Sequence, residues 1–149
     1  MNTNPDEPQV VKKIHLTVKT DANIAVELLD WFDSLNQPPF VERKIWAECK
    51  TAFKEGFDNV VDHAHQNLPP DTMIELEVTQ FPDTIEIRIW DQGPVFDLES
   101  QIQKMPPLPE NLGDGGRGLR IIERYSDQIK YFRTDGDRNC LVIIKVLQK

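Results

Sequence analysis

Residues 73–90 read MIELEVTQFPDTIEIRIW, and this stretch decides the fold. Ile74, Leu76 and Val78 alternate with polar residues before Pro82-Asp83, and Ile85, Ile87 and Ile89 do so after it. A period of two places each apolar set on one face of a strand. Two such runs, Met73 to Phe81 and Thr84 to Trp90, joined by a turn dipeptide, predict an antiparallel hairpin. The second run stops at Asp91-Gln92-Gly93-Pro94, a turn signal.

Upstream, Ile14, Leu16 and Val18 alternate within a strand expected from Val10 to Lys19. Asp21 is placed to cap a helix reaching about Asn36, with Ile24, Ala25, Leu28, Leu29 and Phe32 on one face. Pro38-Pro39 breaks the chain before a longer helix, expected from about Glu42 to His65. On a wheel of about 100° per residue, Trp46, Cys49, Phe53, Phe57, Val60 and Ala64 fall within an arc of about 80°.

Downstream, residues 98–112 carry Pro106, Pro107 and Pro109 and predict a loop with one short helix. A glycine-rich run, Gly113 to Gly118, opens a helix to about Tyr125. Strands are expected at Gln128 to Arg133 and Cys140 to Leu147, around an Asp135-Gly136-Asp137 turn. The order βααββ–loop–αββ implies an α/β (α+β) two-layer sandwich. Its sheet is mixed and mostly antiparallel, of about five strands, with helices on one face. Residues 1–9 read as a disordered tail and 10–149 as one domain.

The chain has 149 residues, with 17 Lys+Arg against 25 Asp+Glu and a formal charge of -8. That balance argues against an electrostatic grip on nucleic acid or anionic lipid. The two cysteines, Cys49 and Cys140, sit among apolar residues and read as buried and reduced, in a cytoplasmic protein. Three His and two Cys lie at no zinc-ligand spacing. The acidic N-terminus lacks the features of a signal peptide, and no apolar run reaches the roughly 18 residues of a membrane span.

Three constellations can carry chemistry. Glu55, Asn59 and His63 recur at i, i+4 and i+8, so they share a flank of the long helix. A carboxylate there can take a proton, and an amide oxygen one turn away is a hard ligand suited to Mg²⁺. Gly56, beside Glu55, weakens the helix but permits close approach. Asp91 ends an apolar strand, where its carboxylate can accept from an exocyclic amine, and Gly93 would let a base pack against the backbone.

Gly113-Asp114-Gly115-Gly116-Arg117-Gly118-Leu119 is the third. It satisfies G-x-G-x-x-G, yet a proline-rich segment precedes it where a dinucleotide fold needs a buried strand. No Lys-Ser/Thr follows, so it is not a P-loop. What remains is a set of unobstructed N–H groups at a helix start, which favours phosphate, with Arg117 adding positive charge. Each constellation by itself is also compatible with a solvated helix face, a plain turn or a flexible hinge.

Their order along the chain resembles the N, G1 and G2 boxes of the histidine-kinase-type (GHKL) ATPase superfamily. The compact size and the GGRGL run are most similar to the anti-sigma-factor serine/threonine kinases of bacterial partner-switching systems. That resemblance spans about residues 10 to 147 and implies ATP and Mg²⁺ held between a helical layer and a lid. It implies Glu55 as general base and Asn59 as the Mg²⁺ ligand. Asp91 would meet the adenine amino group, with Gly93 beneath the base. Gly113, Gly115, Gly116 and Gly118 would hold phosphates, with Arg117, Leu119 and His63 at matching motif positions. The implied partners are a small anti-sigma-factor antagonist, a sigma factor and a second copy of the chain. Val95 stands where the family commonly has glycine, and Asn139-Cys140 where it usually has Gly-Thr. Those two departures motivate an alternative function: a nucleotide-gated binding module without phosphotransfer.

Overall fold

A computed structural model describes residues 9–105 and 118–147. Five strands form one sheet: β1 (Lys12–Lys19), β2 (Met73–Gln80), β3 (Thr84–Asp91), β4 (Gln128–Thr134) and β5 (Arg138–Val146). Their order is β1-β2-β3-β5-β4, and all four pairings are antiparallel. The expected hairpin is β2–β3, with Leu76 opposite Ile89 and Val78 opposite Ile87. The mixed element expected for the sheet is absent among the described strands, because every strand adjacent in space runs opposite to its neighbour.

The helical layer is made of α1 (Ala25–Ser34), α2 (Arg43–Asn59), α3 (Leu98–Lys104) and α4 (Gly118–Tyr125). Asp21 caps a 3-10 turn that leads into α1, accepting a bond from Asn23 N–H at 2.9 Å. Lys12 Nζ reaches across from β1 and donates to the Leu35 and Gln37 carbonyls just past the end of α1. Phe32 of α1 packs on Trp46 and Phe53 of α2 at ring separations of 4.7 and 4.9 Å. The apolar arc of α2 is buried from Trp46 through Val60. It lies over Ile89, Leu141 and Ile143, and a β-carbon at Gly56 would sit 2.5 Å from Ile89 Cδ1. Gly56 is therefore a helix–sheet contact, and the close approach it permits is to a strand, not to a ligand.

The opposite sheet face carries half-buried Glu75, Glu77, Glu86, Arg88 and Trp90, so the described helices cover one face only. Both cysteines are free and buried, and burial pushes their thiols up, to about 12 for Cys49 and about 11 for Cys140. Gly136 and Asp137 take the left-handed φ values of 90° and 62° that close the β4–β5 turn. Within the described residues no helix is long and apolar enough to cross a membrane.

The connection decides where a site can form. The chain leaves the sheet at Asp91, runs through α3 and α4, and returns by way of β4 to lay β5 against β3. This excursion packs α4 on α2. It also makes Asp91 and Asn139 the terminal pair of the β3–β5 ladder, beneath the same helices.

Candidate functional site

Glu55 lies on the α2 flank that faces α4. A β-carbon at Gly118, the first residue of α4, would stand 3.0 Å from Glu55 Oε2. The carboxylate and the helix that follows the glycine run are thus near neighbours, as two parts of one site must be. Burial holds the Glu55 carboxyl above its ordinary range; Lys54 opposes the shift, and Asp58 and Asp62 reinforce it. One turn on, Asn59 ends α2 with no side-chain capping bond.

After Asn59 the helix widens into a π turn, Val60–Ala64, and His65 N–H donates to the Val60 carbonyl at 2.8 Å. The sequence predicts an α-helix straight through to His65. The wider turn changes the phase, leaving His63 exposed and turning His65 inward until it is 2% exposed.

Asn59, His63 and Ala64 form one wall of a cavity of about 250 Å³. Pro94, Val95 and Phe96 form a second wall, and Gln101, Met105 and Leu119 close it from α3 and α4. A mostly apolar slot with two amides, Asn59 and Gln101, and one imidazole on its walls suits a planar heterocycle carrying a polar tail. Gly113, Gly115, Gly116 and Arg117, expected to bind phosphate, lie outside the described residues.

At the end of β3, Asp91 continues the inward row of Ile85, Ile87 and Ile89 and is buried. Its Oδ1 accepts from Gly93 N–H at 2.8 Å and from Asn139 Nδ2 at 2.9 Å. Neither bond uses Oδ2, which keeps an acceptor for an amine. Asn139 Nδ2 also donates to the Gly93 carbonyl at 2.9 Å. Arg133 Nη1 donates to that carbonyl at 3.2 Å and to Asn139 Oδ1 at 3.0 Å. Gly93 is required for a reason the sequence does not reveal: a β-carbon there would meet the Ala64 carbonyl oxygen at 2.4 Å. The turn is pressed against the π turn, so the close approach at Gly93 is to protein backbone.

Asn139, Arg133 and His65 escape a motif reading. Asn139 stands out in the sequence only as a departure on the last strand. Arg133 and His65 give no signal, since neither their spacing nor their neighbours mark them. Among the described residues no cluster of three or more His, Cys, Asp or Glu could hold a metal ion. A divalent ion at Asn59 would thus need oxygens from a bound phosphate to complete its shell.

Residues 18–145 match the family model described as a histidine kinase-like ATPase domain. The serine-protein kinase RsbW of Staphylococcus epidermidis is 34% identical over 94 residues, which cover 60% of this chain and 59% of that protein. RsbW of Listeria monocytogenes serotype 4a is 33% identical over the same shares. The chain therefore spans about 59% of the length of the curated relatives it matches. Two solved structures share the fold at 12% identity. One holds the RsbU and RsbW domains of a Mycobacterium tuberculosis protein, with TM-score 0.65 over 93% of this chain and 34% of that one. The other is a SiaB–SiaC complex from Pseudomonas aeruginosa, with TM-score 0.68 over 91% and 89%. With the family match running from β1 to β5, across Glu55, Asn59 and Asp91, the chain belongs to the histidine kinase-like ATPase domain family.

Proposed function

We propose that this chain is an ATP-dependent serine/threonine protein kinase and an anti-sigma factor of a bacterial partner-switching system. Its substrate is a hydroxyl on a small antagonist protein. The reading is carried by one juxtaposition: the Glu55 carboxylate lies beside the first residue of α4, with Asn59 one turn away on the cavity wall. When bound, Mg²⁺ and ATP supply the γ-phosphoryl group and neutralise its charge, and Asn59 is the residue that holds the metal. Glu55 takes the proton of the antagonist's hydroxyl as its oxygen bonds to phosphorus and the bond to ADP breaks. A carboxyl held above its ordinary range is a better match to a hydroxyl proton than a free surface glutamate.

Asp91 Oδ2 accepts the adenine amine while Gly93 N–H and Asn139 Nδ2 hold Oδ1 in place. His63 and Leu119 line the cavity beside the nucleotide. Gly113, Gly115, Gly116 and Gly118, with Arg117, cradle the phosphates. In this reading the chain is cytoplasmic and homodimeric, and its charge of -8 supports work on protein partners away from nucleic acid. Exposed Val95 and buried Cys140, which stands in place of the family's threonine hydroxyl, favour one competing account, a nucleotide-gated binding module. Incubation of the purified chain with Mg²⁺, labelled ATP and a candidate antagonist decides between them. Label on a Ser or Thr of the antagonist is expected. Nucleotide-dependent binding without transfer supports the module, and the absence of both overturns each account.

A further inference from the structure

We infer that His65 is a positioning residue for the nucleotide site: its ring, as the neutral Nδ1–H tautomer, pins the Asp91–Gly93 turn through Nε2. This deepens the nucleotide-binding reading and rests on it. The tautomer follows from three hydrogen bonds. A backbone N–H can only donate, and Gln92 N–H lies 2.8 Å from His65 Nε2, so Nε2 must carry the lone pair. On the other side Thr20 Oγ1 gives its own proton to the Thr72 carbonyl at 2.7 Å. It therefore accepts from His65 Nδ1, 2.8 Å away. Both ends of the ring demand the same neutral form.

Position gives the ring its effect. It connects the end of the π turn, two residues past His63, to the residue between Asp91 and Gly93. Gln92 is fixed a second time by its side chain, which donates to the Met73 carbonyl at 3.1 Å. A proton on Nε2 would set an N–H against the Gln92 N–H and push the turn from its seat, carrying Asp91 with it. Among the described residues Asp91 is the charged group that acts on the ring, and it favours the proton; Thr20 and Thr72 face it with neutral groups. Burial outweighs Asp91 and holds the imidazole below its ordinary 6.5.

The experiment compares ATP binding by wild type, His65→Phe and His65→Gln between pH 5.5 and 8, with ring ¹⁵N shifts recorded on the wild type. Phe fills the space but leaves the half-buried Gln92 N–H bond without its acceptor, so ATP affinity should fall about tenfold or more at pH 7.5. In the Gln variant Oε1 can stand where Nε2 stood, and most of the affinity should return. Wild-type affinity should decline only at the acid end of that range, below the ring's ordinary value because burial lowers it, while that of His65→Gln stays flat. Thermal melting of both variants separates a folded protein with a loosened turn from an unfolded one. The proposal is overturned if folded His65→Phe binds ATP as wild type does. It is equally overturned if the ring shifts show an Nε2–H tautomer. A wild type that shows the Nδ1–H tautomer but binds no ATP at any pH instead removes the nucleotide reading and leaves the pinned turn standing.

Discussion

The two ends of the site are built differently. At the end of β3 the Asp91–Gly93 turn is held by β5 through Asn139, by β4 through Arg133, and by the π turn through His65 and Ala64. Around Glu55 the opposite holds. Among the described residues the side chains of Glu55 and Asn59 take no hydrogen bond, and the carboxylate faces a glycine. A surface that recognises one rigid heterocycle gains from fixed acceptors, because the ordering is done at folding rather than at binding. A proton acceptor that must meet a hydroxyl from a second protein needs unused lone pairs. Under the proposed function, preorganisation sits at the recognition end and openness at the reacting end.

The largest effect expected tests the open end. Glu55→Gln keeps size and helix propensity but removes the base, so transfer of label to the antagonist should fall about 10²–10⁴-fold. ATP affinity should be unchanged, because the recognition end is intact. Equal loss of binding and transfer would erase the division between the two ends.

Asp91→Asn strikes the knitted end. The amide presents a donor where a charged acceptor stood, and ATP affinity should fall roughly ten- to a hundredfold, or about 1.5–3 kcal/mol, in calorimetry. Its effect should be on KM for ATP much more than on kcat. Unaltered ATP binding, or equal ATP and GTP binding by the wild type, would remove Asp91 from the recognition role.

Gly93→Ala asks how tightly the turn is seated. The added methyl meets a backbone carbonyl that cannot swing aside, so the melting midpoint should drop by the equivalent of about 1–3 kcal/mol. Gly118→Ala makes the contrast, since the atom it meets is the far end of the Glu55 side chain. That variant should melt like wild type and lose part of its transfer rate.

The smallest effect is a displacement of the pH profile. As the proposed base, Glu55 works only when deprotonated, so transfer should decline as the pH falls through its raised pKa. Lys54→Met removes the opposing cation and should move that acid limb to higher pH. Asp62→Asn removes a reinforcing anion and should move it lower. Limbs that move together, or not at all, would show that another group controls the rate. The stability sign runs the same way. A carboxyl whose folded pKa is raised favours the fold below its ordinary 4.5, and that contribution is lost as the pH rises through the folded value.

Much of the architecture was legible along the chain. The alternation in 73–90 gave the hairpin, and the apolar arc of α2 marked its buried face, because both periods report directly which side chains leave water. The same alternation marks Asp91 as an acid in an apolar row, which is why it could be singled out. His63 and His65 show where a periodic reading stops. Only Ala64 separates them, and a π turn leaves one at the surface and buries the other. A helical wheel with one fixed angle cannot register that change.

The sequence by itself determined the strand and helix order, and the spacing that sets Glu55 one turn from Asn59. These follow from local periodicity and need no knowledge of distant residues. Tertiary structure alone decided that β5 inserts between β3 and β4 and so brings Asn139 onto Asp91 across 48 residues. It alone decided that Gly56 and Gly93 are glycines for the sake of Ile89 and Ala64, and that His65 must be a neutral acceptor. Those facts depend on which atoms meet after the chain has turned back on itself, and a one-dimensional pattern carries no term for that meeting.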